Sequence, residues 1–266
     1  MLIADIEFSR QASKIQERLI SAQCLEFTET LAIDAHLVYW FENLPPFLNA
    51  SMPCPDWLQQ PRSSAKWKYQ NLRIMLYRPA LMEATLRRVP FQELHCNQKV
   101  CVRKCQSLAS QAIEDIASEW TQNQYSGWPA VWFLFQACII PLLSLYGFKD
   151  DTKQSADWSQ QVLRSLQLFK EMEQWSIAAR QTHELVTLLY DAYRKTITSN
   201  LNSSTYVSST SHLDNPQPST QSNIMTDWPL WEGLFNFSET AFSVAAFPDL
   251  NFPDLGLGTD TLEYPT

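Results

Sequence analysis

The stretch from Trp67 to Met82, WKYQNLRIMLYRPALM, constrains the fold more than any other. Tyr69, Leu72 and Leu76 share one helical face at i, i+3, i+7 spacing, and Ile74, Tyr77 and Leu81 share a second. Met75 lies between them. A helix that is apolar nearly all round belongs in an interior, so other elements must surround it. Pro79 has no backbone donor and disfavours the α region for Arg78, so the helix is expected to end or kink there. Arg73 and Arg78 are permanent charges in an oily setting. Each needs a carboxylate or several carbonyls, because burying an unpaired charge is very costly.

The surroundings read as helical too. Before residue 200 the only glycines are Gly127 and Gly147, which leaves few strand-punctuating turns and excludes a Gly-rich phosphate loop. Ile15, Leu19 and Ala22, then Leu37, Trp40 and Phe41, fall on helical faces that close at Leu44-Pro45-Pro46. A loop with Pro53, Pro55 and Pro61 follows. Leu108, Ala112 and Ile116 mark a helix over Cys101 to Ile116, and shorter helices are expected from about Trp158 to Met172 and Ile177 to Thr196. Apolar residues make up 45% of the chain, enough to fill a sizeable core. The expected fold class is all-α: an irregular helical bundle over residues 1–197, then a disordered Ser/Thr-rich linker and an acidic-aromatic tail.

One run within the bundle has two readings. Between Glu119 and Lys149 no residue is charged, a length able to cross a hydrocarbon core about 30 Å thick. Gln136 and Pro141 interrupt the run, and its flanks lack the Lys/Arg excess that orients a single pass. A buried core helix accounts for it equally, and no membrane partner is expected.

Charge divides the chain. No Lys or Arg follows Lys195, whereas Asp214, Asp227, Glu232, Glu239, Asp249, Asp254, Asp260 and Glu263 do, leaving twenty acids against twenty bases before them. The formal net charge of −8 therefore belongs entirely to the last seventy residues. A neutral body has no field to hold nucleic acid and an acidic tail repels it, so no direct nucleic-acid binding is expected. Residues 198–226 are Ser, Thr, Asn, Gln and Pro with few large apolar side chains. Such a segment cannot bury enough surface to offset its ordering entropy, and it reads as a flexible linker.

Residues 227–266 differ again. Trp228, Trp231 and Phe235 have i, i+3, i+7 spacing behind Asp227, and Phe247-Pro248-Asp249-Leu250 is repeated as Phe252-Pro253-Asp254-Leu255. Leu234, Phe237, Phe242 and Tyr264 add to the apolar set. Aromatics among acids mark a transcriptional activation segment, in which repelling carboxylates keep the rings apart and available. Burying three rings of about 200 Å² gives roughly 15 kcal/mol gross at about 25 cal/mol per Å². Ordering about ten residues costs roughly 10–20 kcal/mol, so folding is expected only against a partner's groove. Trp228, Trp231, Leu234, Phe235, Phe237, Phe247, Leu250, Phe252 and Leu255 are the candidate coactivator contacts.

Catalytic and metal patterns are incomplete. His183-Glu184-Leu185-Val186-Thr187 begins like a zinc-protease helix but has Thr where the second ligand belongs, so a partly exposed helical His is expected. Cys96, Cys101 and Cys105 beside His95 do not match common zinc spacings. Packing thiols are the main reading, with a metal or redox role open for Cys101 and Cys105. Asp150-Asp151 lacks the third acid of a magnesium-dependent prenyl-diphosphate enzyme, and there is no G-x-S-x-G elbow. No catalytic residue and no metal ligand is assigned. Glu114, Asp115 and Glu119 form an acidic patch that either faces solvent or pairs with Arg73 or Arg78, and those two arginines are also the candidate contacts for an anionic effector. The scattered cysteines, in a chain opening without a secretory signal pattern, read as reduced thiols.

Leu37-x-x-Trp40-x-x-x-Leu44-Pro45-x-x-Leu48, followed by Trp67-x-Tyr69-x-Asn71-x-Arg73-Ile74-x-Leu76-Tyr77-Arg78-Pro79, resembles the fungal-specific regulatory domain of binuclear zinc-cluster transcription factors. Cys105-x-x-x-Ala109 with Ala112, Ile113 and Ile116 resembles that domain's next helix. Trp132 to Ala137 and Pro141-Leu142-Leu143 resemble its galactose-pathway-activator branch. The resemblance runs from about Leu2 to Lys195. It implies an all-α regulatory domain, a nuclear location, regulation of RNA polymerase II genes, and coactivators, a repressor protein and a homodimer as partners. Zinc is implied only for a six-cysteine cluster near the family's N-terminus. No C-x2-C-x6-C pair occurs in this sequence, so no cofactor and no DNA contact are expected of the chain as given. A fragment, a truncated gene model and a member without the cluster all fit. The leading expectation is the regulatory and activation portion of such a factor, not an enzyme. A helical protein-binding scaffold and an all-α domain for an apolar substrate are the rivals.

Overall fold

A computed structural model of the chain describes residues 2–21, 25–49, 52–122, 124–148 and 152–205. The described residues form seven α-helices and one short 3-10 turn, in the order α1 (Leu2–Ser21), α2 (Phe27–Glu42), α3 (Asp56–Leu86), the turn Phe91–Glu93, α4 (Cys96–Glu119), α5 (Gln124–Gly147), α6 (Thr152–Met172) and α7 (Ile177–Thr205). Among the described residues there is no strand. The linker beyond Thr205 and the tail, with all nine candidate coactivator contacts from Trp228 to Leu255, lie outside the described residues, as do Asp150 and Asp151.

α3 and α5 are the two walls of the core. α3 packs against α1, α2, α4 and α5, and α5 packs against α3, α4, α6 and α7. Contact levels set the directions: Arg73 meets Asp34 while Tyr69 meets Phe41, so α2 runs antiparallel to α3. Trp67 meets Glu119 and Gln70 meets Asp115, so α4 does too. Arg78 meets Gln136 and Thr85 meets Gly147, so α5 runs parallel to α3.

α5 is the uncharged run, and its surroundings explain the composition. From Ala130 to Tyr146 nearly every side chain is buried, and 89% of its most apolar window is covered by protein. A helix enclosed on every side has no solvated face on which to carry charge. Among the described residues it is the one helix long and apolar enough to cross a membrane, and the bundle supplies an apolar environment for it directly.

The expected limits of three helices are corrected. α3 neither ends at Pro79 nor starts after Pro61; it carries both prolines through its interior. A proline inside a helix costs about 3 kcal/mol, and burial on both sides of Pro79 outweighs it: Leu76, Tyr77 and Arg78 before it, Leu81, Ala84 and Thr85 after it. α4 begins at Cys96 rather than near Cys101, because His95 forms a capping box: its ring accepts from Asn97 N–H at 3.4 Å, and Gln98 Oε1 accepts from His95 N–H at 3.3 Å. α7 continues to Thr205, past the expected start of the linker at 198. Extending a helix already anchored by packing adds one hydrogen bond per residue fixed, which polar residues tolerate.

Candidate functional site

The two arginines singled out from the sequence are buried in different interfaces. At 100° per residue, five positions along α3 turn them about 140° apart. Arg73 faces α2, where Nη2 donates to Asp34 Oδ2 at 2.9 Å and Nε donates to Asp34 Oδ1, a two-pronged ion pair. Its Nη1 donates to the Tyr69 hydroxyl at 2.9 Å. Lys104 of α4 approaches the same carboxylate at 3.7 Å. The side chains of Arg73 and Asp34 are only 11% and 8% exposed, so solvent screens the pair little.

Burial alone would raise the pKa of Asp34. The hydrogen bonds and charge of Arg73 outweigh it, helped by Tyr77 and Lys104, and hold the carboxyl below its usual range. Burial and the neighbouring Asp34 carboxylate push the Tyr77 hydroxyl up, so it stays protonated. That hydroxyl is buried facing Asp34 without a well-formed hydrogen bond. Arg78 faces α5, where its Nη1 donates to Gln136 Oε1 at 3.1 Å. The geometry thus gives Arg73 an ion-pairing role and Arg78 a role in joining α3 to α5, and does not bring the two guanidinium groups to one effector.

The acidic patch on α4 is also corrected. Glu114 is exposed, but Asp115 and Glu119 turn toward Lys66 of α3, at 3.0 and 2.6 Å, and not toward Arg73 or Arg78. The indole N–H of buried Trp67 donates to Glu119 Oε2 at 3.1 Å, and Gln70 Nε2 donates to Asp115 Oδ2. Burial would lower the pKa of Lys66, and the two carboxylates more than offset this and raise it. Lys66 was not singled out from the sequence. The signal that could have found it is a level match: α3 and α4 are antiparallel neighbours, and Lys66 is the base opposite their paired acids.

The other motif residues are mostly structural. Trp40 packs against Phe8 at 5.2 Å between ring centroids, and Tyr69 stacks on Phe41 at 4.3 Å. Leu44 closes a small core with Leu48 and Leu58, while Pro45 is exposed beside it. Asn71 and Tyr77 are buried, with Asn71 Nδ2 at 3.6 Å from Met75 Sδ. Pro79 is half-buried mid-helix.

Cys101 and Cys105 share the inward face of α4, with Cys105 Sγ toward the Ile74 carbonyl, whereas Cys96 is exposed beside His95. Burial pushes the Cys105 and Cys138 thiols up to about 12, so neither is a nucleophile near neutrality. Among the described residues no three His, Cys, Asp or Glu side chains converge as a metal site would require. His183 is half-buried and contacts Glu173 at 2.6 Å across the α6–α7 connection. No family model, no curated protein and no solved structure matches the chain.

Proposed function

We propose that the chain is the regulatory and activation portion of a fungal zinc-cluster-type transcription factor, acting in the nucleus on RNA polymerase II genes. The observation that carries this reading is the charge division: eight acids and no base after Lys195, set among large aromatics, behind a body in which acids and bases balance. Like charges keep such a segment extended and its rings accessible, the condition for weak, reversible capture by a coactivator groove. The all-helical body is the architecture that the resemblance implies. In this reading the body presents or restrains the segment, and Trp228, Trp231, Phe235 and the two FPDL repeats make the contacts.

The experiment is a fusion of residues 227–266 to an unrelated DNA-binding domain upstream of a reporter. Activity that falls when Trp228, Trp231 and Phe235 become Ala supports the reading, and a silent intact fusion contradicts it.

A helical protein-binding scaffold is the second reading. It is favoured by the exposed apolar side chains around the α2–α3 connection, where Trp57 is 76% exposed and Tyr39 is 66% exposed, with Phe47 and Met52 nearby in sequence. It predicts that the body captures partners with the tail removed.

A further inference from the structure

α2 holds two neighbours on one side. Glu29 and Trp40 turn toward α1, to Arg18 and Phe8, while Asp34 and Phe41 turn toward α3, to Arg73 and Tyr69. At 100° per residue, Thr28, Leu31, Ala32, Ala35, His36 and Tyr39 fall in the opposite arc, about 140° wide. All six are exposed. A helix at a surface ordinarily carries its charges outward. α2 does the reverse: Thr30 and Asp34 are buried, and the outward arc from Thr28 to Tyr39 has no Asp, Glu, Lys or Arg. An uncharged, partly apolar outward arc is the mark of an interaction surface.

Thr28, Ala32, Ala35, Tyr39 and Glu42 follow the i, i+4, i+7, i+11, i+14 spacing of a helix-pairing seam. The seam complements itself when read backwards about Ala35: Ala32 stands opposite Tyr39, and Thr28 opposite Glu42. Ala35 against a second Ala35 lets two helix axes approach to about 8 Å. Each Tyr39 ring then fills the space that an Ala32 leaves, with Leu31 at the same level. Charge agrees with size. Glu42 lies exposed in the last turn of its own helix, where a carboxylate is unfavourable, and would meet the first turn of the other, where it is favourable. That first turn has no side-chain cap, since Glu26 at the N-cap position makes no capping hydrogen bond.

We propose that α2 pairs antiparallel with α2 of a second copy of the chain, across a two-fold axis at Ala35. A two-fold contact uses the same patch twice, so one self-complementary face is enough. Parallel pairing would set Glu42 against Glu42 and Tyr39 against Tyr39. An acidic or a basic peptide would find no opposite charge along the arc, whereas a second copy brings a neutral face of matching shape. One helix face is a small contact, so the dimer is weak and reversible. The inference is independent of the transcriptional reading.

The test is sedimentation equilibrium of the full chain over about 5 to 500 µM, a span suited to a weak dimer. The mass should rise from one copy toward two. Ala35→Lys sets two like charges face to face on the axis and should weaken association about ten-fold or more. Tyr39→Ala should weaken it by a few-fold. Both positions face solvent in the single chain, so thermal melts should show each variant folded like the parent. Orientation is read by mild oxidation in a Cys96→Ser background. Ala35→Cys should add a disulfide-linked dimer, and Thr28→Cys should not, because antiparallel pairing holds the two Thr28 positions about 20 Å apart along the axis. The proposal is overturned by a single-copy mass throughout, or by a dimer that Ala35→Lys or Tyr39→Ala leaves unchanged. It is equally overturned if Ala35→Cys adds no cross-link, or if Thr28→Cys cross-links as readily.

Discussion

Asp34 and Arg73 show what one pair of side chains does here. Each lies in an interface with little solvent, so removing one partner strands the other. Asp34→Leu or Arg73→Met should each cost about 3 kcal/mol, and the two changes together should recover much of that. Denaturant titration of the four proteins measures the coupling. The pair also sets an acid limit. Native Asp34 holds its proton less tightly than the unfolded chain does, so unfolding takes up a proton. Its contribution is complete above the unfolded carboxyl pKa of about 3.9 and is lost as pH falls through the lower native value. The Asp34→Asn protein should lose less stability than the parent between about pH 4 and pH 2. The demand for a partner was legible at Arg73, but its identity was not. Asp34 lies 39 residues away in the chain, and only the packing of α2 on α3 brings it near. Cysteines offer a second check at this scale. Brief iodoacetamide treatment near pH 8 should label exposed Cys96 and spare Cys105 and Cys138 until denaturant is added, read by peptide mass spectrometry. Prompt native labelling of Cys138 would contradict the placement of α5.

At the scale of elements, the crossing of α3 and α5 depends on the absence of a side chain. A Cβ built on Gly147 would stand 2.5 Å from Thr85 Oγ1 and 3.1 Å from Thr85 Cβ. Gly147→Ala should therefore destabilise by about 1–3 kcal/mol, against the usual stabilisation from Gly→Ala in a helix. Thr85→Ala in the same chain should restore part of the loss by removing the nearer contact, and thermal melts of the single and double variants measure it. Helix existence was legible because 3.6-residue periodicity is local. Helix limits were not, since α3 passes through Pro61 and Pro79 on the strength of burial that comes from other helices. The start of α4 was hidden for a different reason: a histidine stands where Ser or Thr usually signals a capping box. The enclosure of α5 was one of two readings of an uncharged run, and four packed neighbours supply the missing information.

For the whole molecule, the balance of charge was the most readable feature, because counting Asp, Glu, Lys and Arg needs no contact map. It marks two parts with different physics: a bundle with matched charges and a wholly anionic end. The apolar interior shared by α3, α4 and α5 lies wholly within the bundle and gives it a stability of its own, while the ion pairs of Arg73 with Asp34 and of Lys66 with Asp115 and Glu119 fix which helices meet. The body should therefore survive deletion of the anionic end. A chain ending at Thr205 should show an unfolding midpoint within a few degrees of the parent's, and loss of the cooperative transition would oppose this.

The central claim is that recruitment belongs to the acidic-aromatic end and not to the helices. It is tested most directly by attaching residues 1–205 and residues 227–266 separately to the same DNA-binding module and reading one reporter. The account predicts a silent body and an active end whose output collapses when Trp228, Trp231 and Phe235 become Ala. An active body beside a silent end would contradict it.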